Sequence, residues 1–311
     1  MKRSFFFLLL FGFALSSNFS AAAPICSWSL EKATVSGVRV NGVEVAYTVS
    51  GDFDAKTAVI FLPGLERDQS EFQSVENKML AQKPHLLSVR LDLLGQGATG
   101  KRMQVTTEIE FQDQLTLLDH LLATKELAGK KIVLVGHSYG GGIAARYAAD
   151  RPGVVKDVIL VAPFVDHLEI HQPGVGPMMA FTKFWLDFSN LGAFYESAVG
   201  MSSEAGSLMT WPAYSMLNGV DANVGHVLAM TRGIRNIKMT EAVSKMDART
   251  RVSFVISQFD ELIPGPAHLQ LWNAVPPASQ GAYYPIWASH NGVQLLPSFV
   301  ATPVLNILNA D

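Results

Sequence analysis

Hydrophobic and polar positions alternate from Val35 to Val49 about Asn41-Gly42, a dipeptide that suits the left-handed turn of a tight hairpin, so the stretch predicts an antiparallel hairpin at a sheet edge. Beyond it the period changes. Residues 57–62, 86–91, 132–135, 158–162 and 251–257 are short, nearly continuous apolar runs rich in β-branched side chains, the pattern of strands buried on both faces. Between two of them, residues 107–125 carry Phe111, Leu115, Leu118 and Leu122 at helical spacing. Strand and helix patterns alternate in this way until Pro163 and resume at Arg251, which predicts a mostly parallel sheet covered by helices on both sides. From Phe164 to about Asp247 the strand rhythm disappears. Eight of the eleven methionines fall there, and Phe181, Phe184, Trp185 and Phe188 mark one apolar helical face.

The run Ile132-Val-Leu-Val135 ends in Gly136-His137-Ser138-Tyr139-Gly140 and continues into the small-residue stretch Gly141-Gly-Ile-Ala-Ala, which stops at Arg151-Pro152-Gly153. A serine on a sharp turn from strand to helix needs glycine on both sides, because a side chain there collides with folded backbone. Residues from about Val35 to the C-terminus resemble the α/β-hydrolase family. That resemblance implies a mostly parallel central sheet flanked by helices, an inserted helical cap, and a nucleophile elbow with Ser138 at its tip.

It also implies a catalytic acid and a histidine following the serine in chain order, each at the end of a later strand. Asp260 lies where the run ending at Ser257 breaks into a loop before Pro264, and His290 follows the last strand-like run, 281–287. Capping the helix that starts near Pro264 is the plainer role for Asp260, but the strand, the spacing and the following proline favour the catalytic one. Asp166, after the run ending at Pro163, and Glu261 are rival acids. In this arrangement His290 takes the proton of Ser138 as it attacks a carbonyl, and Asp260 orients the imidazole. The resemblance places one oxyanion donor on the N–H of Tyr139, at a helix N-terminus, and the second on Leu65, in the loop after residues 57–62. Pro63-Gly64 stands where the family often has His-Gly. Glu66, Arg67 and Asp68 read as a solvated loop at the pocket rim, with Arg67 as a clamp for anionic substrates the sharper alternative. Asp92, in Asp92-Leu-Leu-Gly95-Gln-Gly97, reads as a loop-ordering residue.

The first residues reshape the picture of compartment. Met1-Lys2-Arg3, the eleven apolar-run residues 5–15, and Ser20-Ala-Ala-Ala23 have the layout of a secretory signal peptide, and the apolar run is short for a membrane span, which needs about 20 residues. The expected division is therefore 1–22 signal peptide, 23–163 first part of the hydrolase core, 164–247 helical cap and 248–311 second part of the core, in a protein that is periplasmic or extracellular. Without Lys2 and Arg3 the chain has 22 basic against 27 acidic side chains and no basic run, which argues against nucleic acid. Cys26 is the single cysteine and makes no internal disulfide. No His and carboxylate cluster has metal-ligand spacing, so neither metal nor cofactor is expected.

The function these residues predict is hydrolysis of carboxylic esters with an apolar portion through an acyl-enzyme on Ser138. Amide or peptide cleavage, acyl transfer to an alcohol, and a non-catalytic binding protein of the same fold remain open from the sequence.

Overall fold

In a computed structural model, the structure describes residues 34–40, 42–65, 67–103, 109–166, 226, 230, 237–260, 263, 265–290 and 292–309. The expected signal peptide, Cys26, Glu66, Glu261 and most of the expected cap lie outside them. Eight strands form one sheet in the order β1-β2-β4-β3-β5-β6-β7-β8: β1 Thr34–Val40, β2 Val43–Gly51, β3 Thr57–Leu62, β4 Leu87–Leu91, β5 Lys131–His137, β6 Val155–Val161, β7 Arg251–Phe259 and β8 Gln280–Ser289. The first two are antiparallel, with Val40 opposite Val43 across the predicted turn, and β2 runs antiparallel to β4. All remaining pairs are parallel.

Helices α1 Gln73–Gln82, α2 Gly97–Arg102, α3 Phe111–Leu122, α4 Ser138–Asp150, α5 Met239–Ser244, α6 Gly265–Ala274, α7 Gly292–Leu295 and α8 Pro297–Asn309 surround the sheet. Because side chains alternate across a pleated strand, each parallel strand feeds two cores. Val59, Phe61, Val133, Val135, Ile159 and Val161 pack with Phe72, Met79, Val300 and Val304 on the side of α1 and α8. Ile60, Leu62, Ile132, Leu134, Val158 and Leu160 pack with Leu115, Leu118, Ile143 and Met239 on the side of α3, α4 and α5. The doubly apolar strand pattern is the cause: a strand polar on one face has no place between two helical layers.

Helix α3 begins at Phe111, four residues later than the periodicity alone suggests. Glu110 and Asp113 form a reciprocal capping box there, which satisfies amide groups left open at the first turn. Helix α4 comes unusually near the sheet. A Cβ on Gly140 would sit 2.2 Å from the Leu62 carbonyl oxygen, and one on Gly136 would sit 2.4 Å from the Gly140 oxygen, so only glycine allows this approach.

Candidate active site

The parallel strands deliver their C-terminal ends to one edge of the sheet, and the predicted site residues sit there. Ser138 is the first residue of α4, directly after β5, and its φ of +47° puts a non-glycine residue in the left-handed region. Such backbone costs about 1–3 kcal/mol and persists only where its surroundings dictate it. Those surroundings are visible: the Ser138 carbonyl accepts from the Phe164 N–H at 2.9 Å, and the glycines on either side clear the turn.

Tyr139 follows at the start of the helix. Its ring turns inward, edge-on to Phe111 at 5.8 Å and hydrogen-bonded through its hydroxyl to Gln114, and burial pushes its hydroxyl pKa up. Gln114 in turn bridges the Leu94 N–H and carbonyl at 3.1 and 3.0 Å. The side chain is thus an anchor, while its backbone N–H lies at the positive end of α4. Leu65, buried at the end of the loop after β3, supplies the facing segment. In that loop the Gly64 N–H, one residue before Leu65, is committed to Glu71 Oε2 at 2.7 Å.

On the other side of the elbow, Asp260 directly follows β7 and His290 directly follows β8. Asp260 Oδ2 lies 2.8 Å from His290 Nδ1, and its other oxygen accepts from the Ile263 N–H at 2.8 Å. Asp260 therefore both orders the turn before α6 and meets the histidine. Burial alone would raise its carboxyl, but the charge and hydrogen bond of His290, the charge of His268 and the Ile263 N–H outweigh that and hold it below the ordinary carboxylate value. His268, on α6, is fixed by Nε2 to the Pro163 carbonyl at 3.1 Å, and burial lowers its pKa against the opposing pull of Asp260.

The rival acid Asp166 is elsewhere. One of its oxygens accepts from the N–H groups of Met239 and Thr240, tying the end of β6 to the start of α5. Arg67 is corrected as well: it is buried, with Nε 3.8 Å from Glu71 Oε1, and is not part of a solvated rim. That burial removes it as a clamp for anionic substrates. Asp92 accepts from the N–H groups of Gln69 and Ala98, both at 2.8 Å, and so orders its loop; burial, only partly opposed by these bonds, raises its carboxyl. His226 and Met230, both from the range assigned to the cap, lie against Gly95 in that loop.

A second set of buried groups went unread in the sequence. His137, between Gly136 and Ser138, has Nδ1 2.9 Å from Glu71 Oε1 and Nε2 2.9 Å from the His290 carbonyl oxygen, and its ring centroid is 4.9 Å from that of His290. Burial of Glu71 acts to raise its carboxyl, but His137, Arg67 and the Gly64 N–H together bring it below its ordinary value. The one local sign was the spacing of Arg67 and Glu71, and in a loop that spacing carries little weight. Among the described residues, no group of three potential metal-ligating side chains occurs, and no helix is long and apolar enough to cross a membrane.

An antiparallel-edged, otherwise parallel eight-stranded sheet with a strained serine elbow after its fifth strand is the α/β-hydrolase fold. More narrowly, the chain belongs to the family described as serine aminopeptidase, S33, whose model matches residues 54–285. A monoacylglycerol lipase of Mycolicibacterium smegmatis is 31% identical over 142 residues, covering 45% of this chain and 48% of that protein. The chain thus spans about half the length of that curated relative. Among solved structures, a bacterial membrane phospholipase A has a TM-score of 0.66 at 15% identity, covering 90% of this chain and 87% of the other. The enol-lactonase of Burkholderia xenovorans has a TM-score of 0.65 at 15% identity, covering 88% and 100%. At these identities the structural matches speak for the fold alone.

Proposed function

We propose that this protein hydrolyses carboxylic esters, with Ser138 as nucleophile, His290 as general base and acid, and Asp260 as the group that orients the imidazole. The 2.8 Å contact between Asp260 and His290, at the ends of the two strands that follow the elbow strand's neighbour, carries this reading. Ser138 Oγ attacks the ester carbonyl carbon and its proton passes to His290 Nε2. The bond to the alcohol then breaks, and the same proton leaves with the alcohol. Water, giving a proton to His290, attacks the acyl-enzyme, and the proton returns to Ser138 as the acid departs. The negative oxygen in each step is received by the N–H groups of Tyr139 and Leu65, and loss of one such donor costs about 3–4 kcal/mol in a serine protease. The relative named as a monoacylglycerol lipase favours an ester with a single long acyl chain.

The family description, an aminopeptidase, favours a second reading in which the same residues cleave an amide at a peptide N-terminus. Labelling by a fluorophosphonate probe, with Ser138→Ala alongside, tests the nucleophile without assuming a substrate. Hydrolysis of monoacylglycerols and aminoacyl amides by the labelled protein then separates the two readings. Absence of labelling in folded wild-type protein refutes both. Residues 1–22 are assigned to export, a reading supported by Lys2-Arg3, the apolar run and Ser20-Ala-Ala-Ala23. Intact mass of protein recovered from a secreting bacterial host, still including residues 1–22, refutes it.

A further inference from the structure

We propose that Glu71 and His137 are positioning residues that hold the oxyanion loop and the His290 loop in register with Ser138, a role that rests on the catalytic reading above. Three segments far apart in the chain meet on this buried pair. Glu71 Oε2 receives the Gly64 N–H, one residue before Leu65, at 2.7 Å. Glu71 Oε1 lies 2.9 Å from His137 Nδ1, and His137 is covalently next to Ser138. His137 Nε2 lies 2.9 Å from the backbone oxygen of His290 itself. A shift of any one of the three segments therefore stretches a hydrogen bond to the other two.

The chemistry of the acceptors fixes the protons. A backbone carbonyl oxygen only accepts, so Nε2 carries hydrogen. Glu71 Oε1 and His137 Nδ1 share a proton between them, while Oε2 accepts the Gly64 N–H and the Arg67 guanidinium stands beside Oε1. Hydrogen bonds to a carboxylate are stronger and more directional than those to a neutral acceptor. The network, with its Arg67–Glu71 ion pair, is enclosed: His137, Glu71 and Arg67 are all at most 2% exposed. Buried ion pairs are weak devices for stability but suit fixing one arrangement among several near neighbours, and here the arrangement is that of Leu65, Ser138 and His290.

Substitution of Glu71 by glutamine separates geometry from mere packing. An amide oxygen can take the Gly64 N–H and its NH2 can donate to a neutral His137 Nδ1, while Nε2–H keeps its bond to the His290 oxygen. Alanine keeps neither anchor. In the full chain, Glu71→Ala should lower kcat for p-nitrophenyl butyrate and the rate of fluorophosphonate labelling by about 100-fold, the effect of misplacing catalytic groups by about 1 Å, with KM little changed. Glu71→Gln should recover at least tenfold of that loss. Equal losses in the two variants, a loss confined to KM, or a folded Glu71→Ala variant with wild-type kcat overturns the proposal. Should Glu71→Ala fail to fold, 15N NMR of histidine-labelled wild-type protein decides. A hydrogen-bonded Nε2–H on His137, assigned by its disappearance in His137→Gln, supports the pair, and a bare Nε2 overturns it. Wild-type labelling lost in Ser138→Ala separates this failure from a failure of the catalytic reading; no wild-type labelling at all overturns both.

Discussion

Gly140→Ala puts the approach of α4 to the sheet under direct test. The added Cβ would stand 2.2 Å from the Leu62 oxygen and 2.5 Å from the Pro63 oxygen, both backbone atoms, where real contacts essentially never fall under 3.0 Å. The first turn of α4 and the end of β3 must therefore part by about 0.8 Å, a distance taken from that same contact. Tyr139 lies on one side of the opening and Leu65 on the other, so the two oxyanion donors proposed above separate by nearly the full displacement. An error of about 1 Å in such a constellation costs about 100-fold in rate, and overpacking of this kind destabilises by about 1–3 kcal/mol. Gly142→Ala is the matched comparison: its Cβ meets nothing nearer than Phe164 Cδ1 at 3.4 Å, an ordinary contact. There the helix preference for alanine should stabilise by up to about 1 kcal/mol. Ester hydrolysis kinetics and urea midpoints on the two variants give both numbers. Wild-type kcat in Gly140→Ala, or an equal loss in Gly142→Ala, would refute the reasoning.

Asp260→Asn should lower kcat by about 10⁴, the effect of leaving a catalytic histidine in the wrong tautomer, whereas Asp166→Asn should leave kcat within about threefold and Asp166→Ala should cost about 1 kcal/mol as a lost helix-terminal acceptor; kinetics and denaturation on the three variants check this. Because the carboxyls of Glu71 and Asp260 are held below their ordinary values of 4.5 and 3.8, their contribution to stability is complete above those values and disappears as pH falls through the lower folded-state ones. Thermal midpoints measured downward from neutral pH should fall, and less steeply in Asp260→Asn; an equal slope counts against the assignment. Leu134→Ala, in the middle of β5 and fully buried, should cost about 2–5 kcal/mol by urea denaturation without altering KM.

The fold was legible because the strands of a doubly covered sheet must be apolar on both faces, and few other environments allow that. The edge hairpin keeps the register expected of a tight turn there, Val40 opposite Val43, with Gly42 at a φ of +81°. The helix start at Phe111 was harder to read, since the capping box of Glu110 and Asp113, not the hydrophobic period, sets it. In the site, glycine spacing marked the elbow at Ser138 and chain order brought Asp260 and His290 together. Glu71 escaped notice because the partners that link it to the site lie 66 residues away at His137 and, through it, 153 residues further at His290. A buried network of that span has no periodicity. Arg67 was misread because a charged triplet after a strand has the composition of a wet loop, whereas the side chain is buried against the carboxylate of Glu71.

The bond from Asp166 to Met239 and Thr240 has a consequence for how such a protein can change. It pins together the two points where about 70 residues, 167–236, leave the scaffold and rejoin it. Strands β6 and β7 pair directly beneath that junction, so neither depends on the length of what lies between. Replacing the segment by a bridge of about five residues would even relieve about 2 kcal/mol of loop-closure entropy. Among the described residues of that segment, His226 and Met230 lie against the Gly95 loop, a contact that a graft has to rebuild. The junction is in this sense modular: a lineage, or a designer, can exchange what joins residues 166 and 237 while β6 and β7 keep their register.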